Sequence, residues 1–312
     1  MKALALKLVG ALLFLSALAM WLSRAPDWPV ESLVARWAPP PSQFIELHGQ
    51  LVHLRDEGPR HDPAPLVLIH GTASSLHTWE GWVRVLRQQH RVISFDLPGF
   101  GITGPSAAGD YRGETYARFV LALMDRLGVQ RFAVGGNSLG GEVAWRTALL
   151  APDRVTKLIL VDAGGMAFES QSMPIGFAIA KLPLVPWLFQ SMLPRPLVVA
   201  SLRNVYGDPS KVDDTQVERY YELLLREGNR RALVQRFAQV RRGEGAERLR
   251  EIRVPTLILW GGRDRLVPSS AAKRFEAEIA GSRLVLFDDL GHVPQEEDPA
   301  RTVQAVQAFL AS

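Results

Sequence analysis

The chain alternates short, continuous apolar runs with longer stretches in which apolar residues recur every three or four positions. Residues 66–69, Leu-Val-Leu-Ile, are typical of the runs, and such a run suits a strand that is buried on both faces of a sheet. The pattern predicts strands at residues 44–47, 51–55, 66–69, 91–95, 131–135, 157–161, 256–260 and 283–287. It predicts helices at residues 79–88, 114–127, 141–150, 269–279 and 300–310. This alternation implies right-handed crossovers and an α/β fold, with a mostly parallel sheet and helices on both faces.

Residues 165–249 interrupt the alternation after the sixth strand, and we expect them to form a helical cap over the strand ends. The core would then comprise residues 44–164 and 250–312. The first part of the cap is apolar but contains Pro174, Pro183, Pro186, Pro194 and Pro196. Prolines prevent one long helix, so a second membrane span is not expected there. The apolar side chains fit either an acyl pocket or the ordinary core of a cap.

The N-terminal segment, residues 1–24, is apolar apart from its basic residues. Residues 8–22 are uncharged, and the run reaches back to residue 3 if Lys7 extends toward the membrane interface. We expect a retained membrane anchor, with a signal peptide cleaved near Ala17-Leu18-Ala19 as the alternative. The main domain would lie outside the cytoplasm, on the periplasmic or extracellular side, or would be secreted if the segment is cleaved.

Residues 25–43 contain five prolines and predict a stiff linker. Between these prolines, Val30, Leu33, Val34 and Trp37 follow near-helical spacing. We therefore expect a short amphipathic helix, which lies either on a membrane or on the main domain.

Composition limits the classes of partner. The formal net charge of the 312-residue chain is +4, but without Lys2, Lys7 and Arg24 only 33 of the 36 basic side chains remain, against 32 acidic ones. A nucleic-acid partner is therefore not expected. The absence of cysteine from the sequence excludes disulfides and a thiol nucleophile.

A serine stands at the centre of a glycine-rich turn, Gly136-Asn137-Ser138-Leu139-Gly140. A predicted strand precedes this turn and a predicted helix follows it. Such a turn holds the serine hydroxyl out of the sheet, and glycines two residues before and after avoid clashes with neighbouring backbone. The pattern indicates a nucleophile elbow, and a tightly packed turn without chemistry is the alternative.

Asp264 and His292 each follow one of the last two predicted strands. Because the ends of parallel strands meet at one edge of a sheet, Ser138, Asp264 and His292 can converge there. The order serine, acid, histidine is that of one known triad scaffold.

Five ordered segments together resemble the α/β-hydrolase family, and the resemblance extends from about residue 44 to the C-terminus. They are His70-Gly71-Thr72, Asp96-Leu97-Pro98-Gly99-Phe100-Gly101, Gly136-Asn137-Ser138-Leu139-Gly140-Gly141, Trp260-Gly261-Gly262-Arg263-Asp264 and Gly291-His292. They are most similar to the branch of esterases, lipases, cofactor-free perhydrolases and carbon–carbon bond hydrolases. The resemblance implies an α/β-hydrolase fold with an eight-stranded sheet, but it does not identify the substrate.

The resemblance also implies roles for individual residues. Backbone N–H groups of Thr72 and Leu139 would form the oxyanion hole, with Ala73 as a substitute for Thr72. Asp162 is a rival to Asp264 as the triad acid, but the Gly262-Arg263-Asp264 loop favours Asp264. Supporting roles are expected for the other candidate side chains: His70 in its loop, Asp96 in a turn, Asp288 and Asp289 as caps or surface groups, and His48, His53, His61, His77 and His90 in packing or at the surface.

These residues predict a serine hydrolase that cleaves small carboxylic esters, with an apolar acyl group, through an acyl-enzyme. No cofactor or metal is expected, because the sequence lacks a His-Glu-x-x-His or comparable cluster. One alternative uses the same triad to hydrolyse a carbon–carbon bond in a ring-cleavage product. Another is a non-catalytic ligand-binding protein of the same fold. The oligomeric state stays open.

Overall fold

The computed structural model describes residues 7–15, 18, 23–181 and 190–312. Eight strands form one sheet in the order β1-β2-β4-β3-β5-β6-β7-β8. Their bounds are β1 Gln43–Leu47, β2 Gln50–Glu57, β3 Leu66–Ile69, β4 Val92–Phe95, β5 Phe132–Asn137, β6 Val155–Val161, β7 Thr256–Gly261 and β8 Arg283–Phe287. The predicted strands are confirmed, because each lies within two residues of an observed one.

The sheet is mostly parallel. Strands β1 and β2 form an antiparallel hairpin at one edge, and β2 also pairs antiparallel with β4. The six strands from β3 to β8 run parallel, so that Leu66 lies between Val92 and Ala133. The carboxyl ends of these six strands therefore meet at one edge. The predicted α/β-hydrolase fold is confirmed.

Helices flank the sheet and fill the long connection between β6 and β7. In the described part of the chain they are α1 Glu31–Trp37, α2 Glu80–Leu86, α3 Gly113–Arg126, α4 Leu139–Leu150, α5 Ile175–Ala180, α6 Arg195–Val205, α7 Asp214–Leu225, α8 Asn229–Gln239, α9 Ser270–Glu278, α10 Pro294–Glu297 and α11 Pro299–Ala311. Short 3₁₀ turns occur at Leu76–Trp79, Pro209–Lys211 and Ala246–Glu251.

Both faces of the sheet are buried by apolar side chains. Along β3, Val67 and Ile69 join one apolar cluster, which includes buried side chains of α3, α4 and α9. Leu66 and Leu68 point to the opposite face and join a second cluster with α2 and α11. This two-sided burial explains why the strands are continuous apolar runs in the sequence.

The connection between β6 and β7 carries α5 to α8. Helix α7 begins with a capping box, in which the Asp213 side chain accepts from the Gln216 backbone and the Gln216 side chain accepts from the Asp213 backbone. Side chains of α6, α7 and α8 line a cavity that also contains Ser138, so these helices cover the strand ends. Part of the predicted apolar stretch, residues 182–189, lies outside the described residues.

Helix α1, in the predicted linker, packs on the protein itself. Leu33 is completely buried and Trp37 is nearly so. The indole Nε1 of Trp37 donates to Glu222 Oε2 of α7 at 2.6 Å, and Arg36 pairs with the same carboxylate. The sequence left two surfaces open for this helix, a membrane or the protein itself. In the structure it packs on the protein, against α7.

The expected localisation is wrong. In the part of the chain that the structure describes, we find no helix with both the length and the apolar character required to cross a bilayer. This finding contradicts the expectation of a membrane-anchored protein with its main domain outside the cytoplasm, or a secreted one. Residues 1–6, 16–17 and 19–22 of the predicted segment lie outside the described residues.

We predict that Leu33→Ala lowers the free energy of unfolding by about 2–5 kcal/mol, because it leaves a cavity between α1 and the residues that bury it. Urea denaturation followed by circular dichroism measures the change. Glu31→Ala, at an exposed position of the same helix, is the control and should cost less than about 1 kcal/mol. Equal stabilities of the two variants would mean that α1 contributes nothing to the folded unit.

Candidate active site

Ser138 lies between the end of β5 and the start of α4, with φ 56° and ψ −115°. A residue with a side chain rarely adopts a positive φ, so this turn is strained. Glycines allow the close approach around it. A Cβ on Gly140 would lie 2.0 Å from the Ile69 carbonyl oxygen, and one on Gly136 would lie 2.1 Å from the Gly140 oxygen. The local geometry is that of a nucleophile elbow, as the sequence predicts.

His292 and Asp264 are hydrogen-bonded. The Nδ1 atom of His292 lies 2.6 Å from Asp264 Oδ2, and both side chains are buried. The other Asp264 oxygen accepts from the backbone N–H groups of Leu266 and Val267, at 2.8 and 2.9 Å. Because the carboxylate accepts only, Nδ1 carries the proton and Nε2 is left as the basic nitrogen.

Backbone contacts hold His292 beside the elbow. Its N–H donates to the Val205 carbonyl at the end of α6, at 2.7 Å. Its carbonyl accepts from Asn137 Nδ2, at 2.9 Å, and Asn137 is the residue before Ser138. The histidine loop is therefore connected both to the elbow and to the helices above the strand ends.

One cavity brings Ser138, His292 and Thr72 together. We call it the apolar cavity, because the side chains that α5 to α8 and their connections contribute are mostly hydrocarbon. Those side chains are Pro174, Phe177, Leu193, Leu197, Val198, Leu202, Val205, Leu224 and Leu233, with Ser201 and Tyr220 as polar exceptions. Within the described residues, its lining includes neither lysine nor arginine.

The two residues predicted for the oxyanion hole flank Ser138. Leu139 begins α4, so its N–H has no partner within the helix. Thr72 follows Gly71, where an added Cβ would lie 3.0 Å from Asn137 Oδ1 and 3.2 Å from Ser138 Cβ. Thr72, Ser138 and Leu139 line a second cavity together, and Ala73 has a positive φ of 60°. The loop after β3 thus lies against the elbow, and its assignment as an oxyanion hole stays a prediction.

Asp162, the rival acid, lies next to the His292–Asp264 pair. Each of the three side chains has one nitrogen or oxygen atom that lies within 4.8 Å of the corresponding atoms of the other two. Its Oδ1 accepts from the Gly261 N–H at 2.9 Å, whereas its buried Oδ2 has no hydrogen-bond partner among the described residues. Burial, together with the charge of Asp264, raises the pKa of Asp162 well above its ordinary value. The neutral form of Asp162 is therefore favoured, and the hydrogen bond to the imidazole favours Asp264 as the triad acid.

The same three side chains are of types that bind divalent metals. His292 Nδ1 and Asp264 Oδ2 already contact each other, and the neutral form of Asp162 is a poor ligand. The hydrogen bond and the raised pKa explain the cluster, so we assign no metal to it.

A second histidine–aspartate pair was not recognised from the sequence. His53 Nδ1 lies 2.7 Å from Asp96 Oδ2, and both side chains are completely buried. Asp96 also accepts from the backbone N–H groups of Leu76 and Ile102, at 2.7 and 2.8 Å. Burial alone would raise the pKa of Asp96, but the hydrogen bond and charge of His53 hold it below its ordinary value. Asp96 joins three segments of the chain, whereas the sequence analysis placed it in a turn.

His70 occupies the supporting position that the resemblance implies. Its Nε2 accepts from the Leu97 N–H at 2.9 Å, and its Nδ1 lies 2.7 Å from the Gly71 carbonyl. Burial lowers the pKa of His70, so the ring is neutral. Asp289, by contrast, forms an exposed ion pair with Arg301, away from the site.

Comparison with known proteins agrees with this geometry. A family model described as the alpha/beta hydrolase fold matches residues 64–299. A 2-hydroxy-6-oxo-2,4-heptadienoate hydrolase of Pseudomonas putida is 30% identical over 80% of this chain and 89% of its own length.

Two solved structures are similar over most of the chain. A bacterial membrane phospholipase A has a TM-score of 0.76 and 25% identity, and the match covers 100% of this chain and 98% of that one. A meta-cleavage product hydrolase of Pseudomonas fluorescens has a TM-score of 0.74 and 25% identity, and covers 86% of this chain and 97% of its own.

We predict different effects of amide substitution at the two acids. Asp264→Asn should lower kcat by about four orders of magnitude, because it favours the wrong tautomer of His292. Because burial and the charge of Asp264 favour the neutral form of Asp162, the neutral amide of Asp162→Asn should retain most of the activity. Steady-state kinetics on one ester substrate measures both, and the reverse order would identify Asp162 as the triad acid.

Substitution of Asp162 should also change how the free energy of unfolding depends on pH. Its pKa is raised in the folded state, so the unfolded chain ionises first as the pH rises above about 3.8, and stability is lost. Asparagine has no such loss. The free energy of unfolding of Asp162→Asn should therefore rise relative to the unaltered protein between about pH 3.5 and 7, as measured by urea denaturation at both values. A difference that is independent of pH would mean that Asp162 is ionised in the folded protein.

Proposed function

Since the chain belongs to the α/β-hydrolase family and is an enzyme of that family, we propose that it hydrolyses carboxylic esters with an apolar acyl group. The observation that carries this proposal is the apolar cavity, which contains Ser138 and His292 and offers a hydrocarbon wall to the substrate. The name of the structurally similar phospholipase A adds support.

The reaction proceeds through an acyl-enzyme. Nε2 of His292 takes the Ser138 proton while Oγ attacks the ester carbonyl carbon, and Asp264 stabilises the imidazolium. The N–H groups of Thr72 and Leu139 bind the oxyanion of the tetrahedral intermediate. The intermediate collapses, and the alcohol leaves with the proton from His292. Water then gives its proton to His292, attacks the acyl carbon and releases the acid, after which Ser138 regains its proton.

Hydrolysis of a carbon–carbon bond is the second candidate. The named relatives from Pseudomonas putida and Pseudomonas fluorescens favour it. A dienoate substrate carries a carboxylate, which requires cationic or hydrogen-bonding partners when it is buried. We rank ester hydrolysis first because the hydrocarbon wall of the apolar cavity fits an acyl chain, which the ester provides.

We predict that a fluorophosphonate probe labels the protein and that Ser138→Ala abolishes the labelling, since the probe reacts with an activated serine. Labelling is read by intact-protein mass spectrometry. Ser74→Ala is the matched control, because Ser74 lines the same cavity but its hydroxyl lies 3.2 Å from the Tyr220 hydroxyl, and the variant should still be labelled. Labelling that survives Ser138→Ala would remove Ser138 from the mechanism.

We predict a preference for longer acyl groups among p-nitrophenyl esters. Each buried methylene contributes about 0.8 kcal/mol, so octanoate should exceed acetate in kcat/KM by tenfold or more. Turnover of a 2-hydroxy-6-oxo-dienoate is measured separately under the same conditions. A preference for acetate would contradict the apolar acyl assignment, and turnover of the dienoate without turnover of any ester would favour the second candidate.

A further inference from the structure

A second cavity meets the apolar cavity at the catalytic serine. The two share Thr72, Ser138, Phe177 and Leu266. Away from the serine, the second cavity is lined by Lys181, Arg236, Arg241 and Arg242, so we call it the basic cavity. An ester whose carbonyl lies at Ser138 can therefore extend one end into a hydrocarbon environment and the other toward positive charge.

Three of the four cations in this lining, Lys181, Arg241 and Arg242, form no ion pair with the described residues. Arg236 lies 3.3 Å from Glu142, the one acidic side chain in the described lining of the basic cavity, and Glu142 also pairs with Arg146. Within residues 7–15, 18, 23–181 and 190–312, no ion pair involves Lys181, Arg241 or Arg242. The remaining positions of the sequence contain no aspartate or glutamate. Those remaining positions therefore supply no acidic side chain that could neutralise the three cations.

Lys181 is exposed at the end of α5, and its neighbours are uncharged. Its ammonium lies 4.9 Å from the centre of the Phe237 ring and 3.5 Å from Met173 Sδ. Burial and the nearby charge of Arg242 lower its pKa. Two like charges that face one cavity repel each other, and a bound anion would remove that cost.

We propose that the basic cavity binds an anionic group on the alcohol part of the substrate. This inference rests on the proposed ester hydrolysis and names its substrate class: an apolar acyl group joined to an alcohol that bears a phosphate or a carboxylate. The acyl chain occupies the apolar cavity, and the anion contacts Lys181 and Arg242. After acyl transfer, the anionic alcohol leaves through the basic cavity.

Three octanoyl esters with similar alcohols test the substrate class: 1-octanoylglycerol, its 3-phosphate and 3-octanoylglycerate. The phosphate or the carboxylate ester should exceed the neutral ester in kcat/KM by about tenfold, mainly through a lower KM, because a hydrogen bond to a charged group contributes that much. The preference should shrink as salt is raised. Comparison of the two anionic esters identifies which anion the cavity selects.

The variants Lys181→Met and Arg242→Gln, and their combination, test the residues. The double variant should lose most of the preference for the anionic ester while its kcat/KM for 1-octanoylglycerol stays within about twofold, since neither side chain takes part in the chemistry. Lys273→Met is the matched control, because Lys273 is exposed on α9 and lines neither cavity. Retained turnover of the neutral ester reports that each variant is folded.

Equal kcat/KM for neutral and anionic esters in the unaltered protein would overturn the inference and leave ester hydrolysis intact. A preference that the double variant keeps in full would also overturn it. If the unaltered protein cleaves none of the three esters, the proposed function fails, and the assignment of the basic cavity fails with it.

Discussion

The strained turn at Ser138 is held by the strands on either side of it, and the rest of the site is arranged around that constraint. The Ser138 N–H donates to the Val161 carbonyl of β6 at 3.0 Å, and the Ser138 carbonyl accepts from Gly164 at 2.8 Å. Gly140 leaves no space for a side chain against Ile69 of β3. Contacts with β3 and β6 fix the orientation of the serine. The free energy of these contacts offsets the cost of the strained backbone. Both cavities meet there because the turn faces the strand ends.

Two buried acids beside one imidazole illustrate how surroundings divide roles between like groups. Asp264 accepts hydrogen bonds from two backbone N–H groups and from the imidazole N–H of His292. Asp162 accepts one backbone N–H and has a bare buried oxygen. Adjacent carboxyls cannot both ionise cheaply, so the one with fewer donors keeps its proton.

Local patterns account for the sheet, the elbow and the convergence of Ser138, Asp264 and His292, because residues at strand ends share one edge once the order of elements is known. The same reasoning does not predict the hydrogen-bonded pair of His53 and Asp96. It depends on the antiparallel register of β2 with β4, which brings Leu54 opposite Phe95. The basic cavity was missed for a similar reason, because Lys181 and Arg242 are distant in sequence and meet only through the packing of α5 with α8. Apolar composition alone also misjudged the N-terminal segment.

Helix α7 has two occupied sides. One side holds α1 through Glu222, and the other contributes Tyr220 and Leu224 to the wall of the apolar cavity. Helix α1, which precedes the first strand, thus supports the helix that forms one wall of the apolar cavity. A chain that began at β1 would lack α1, and the face of α7 opposite the apolar cavity would lose the hydrogen bond from Trp37 to Glu222.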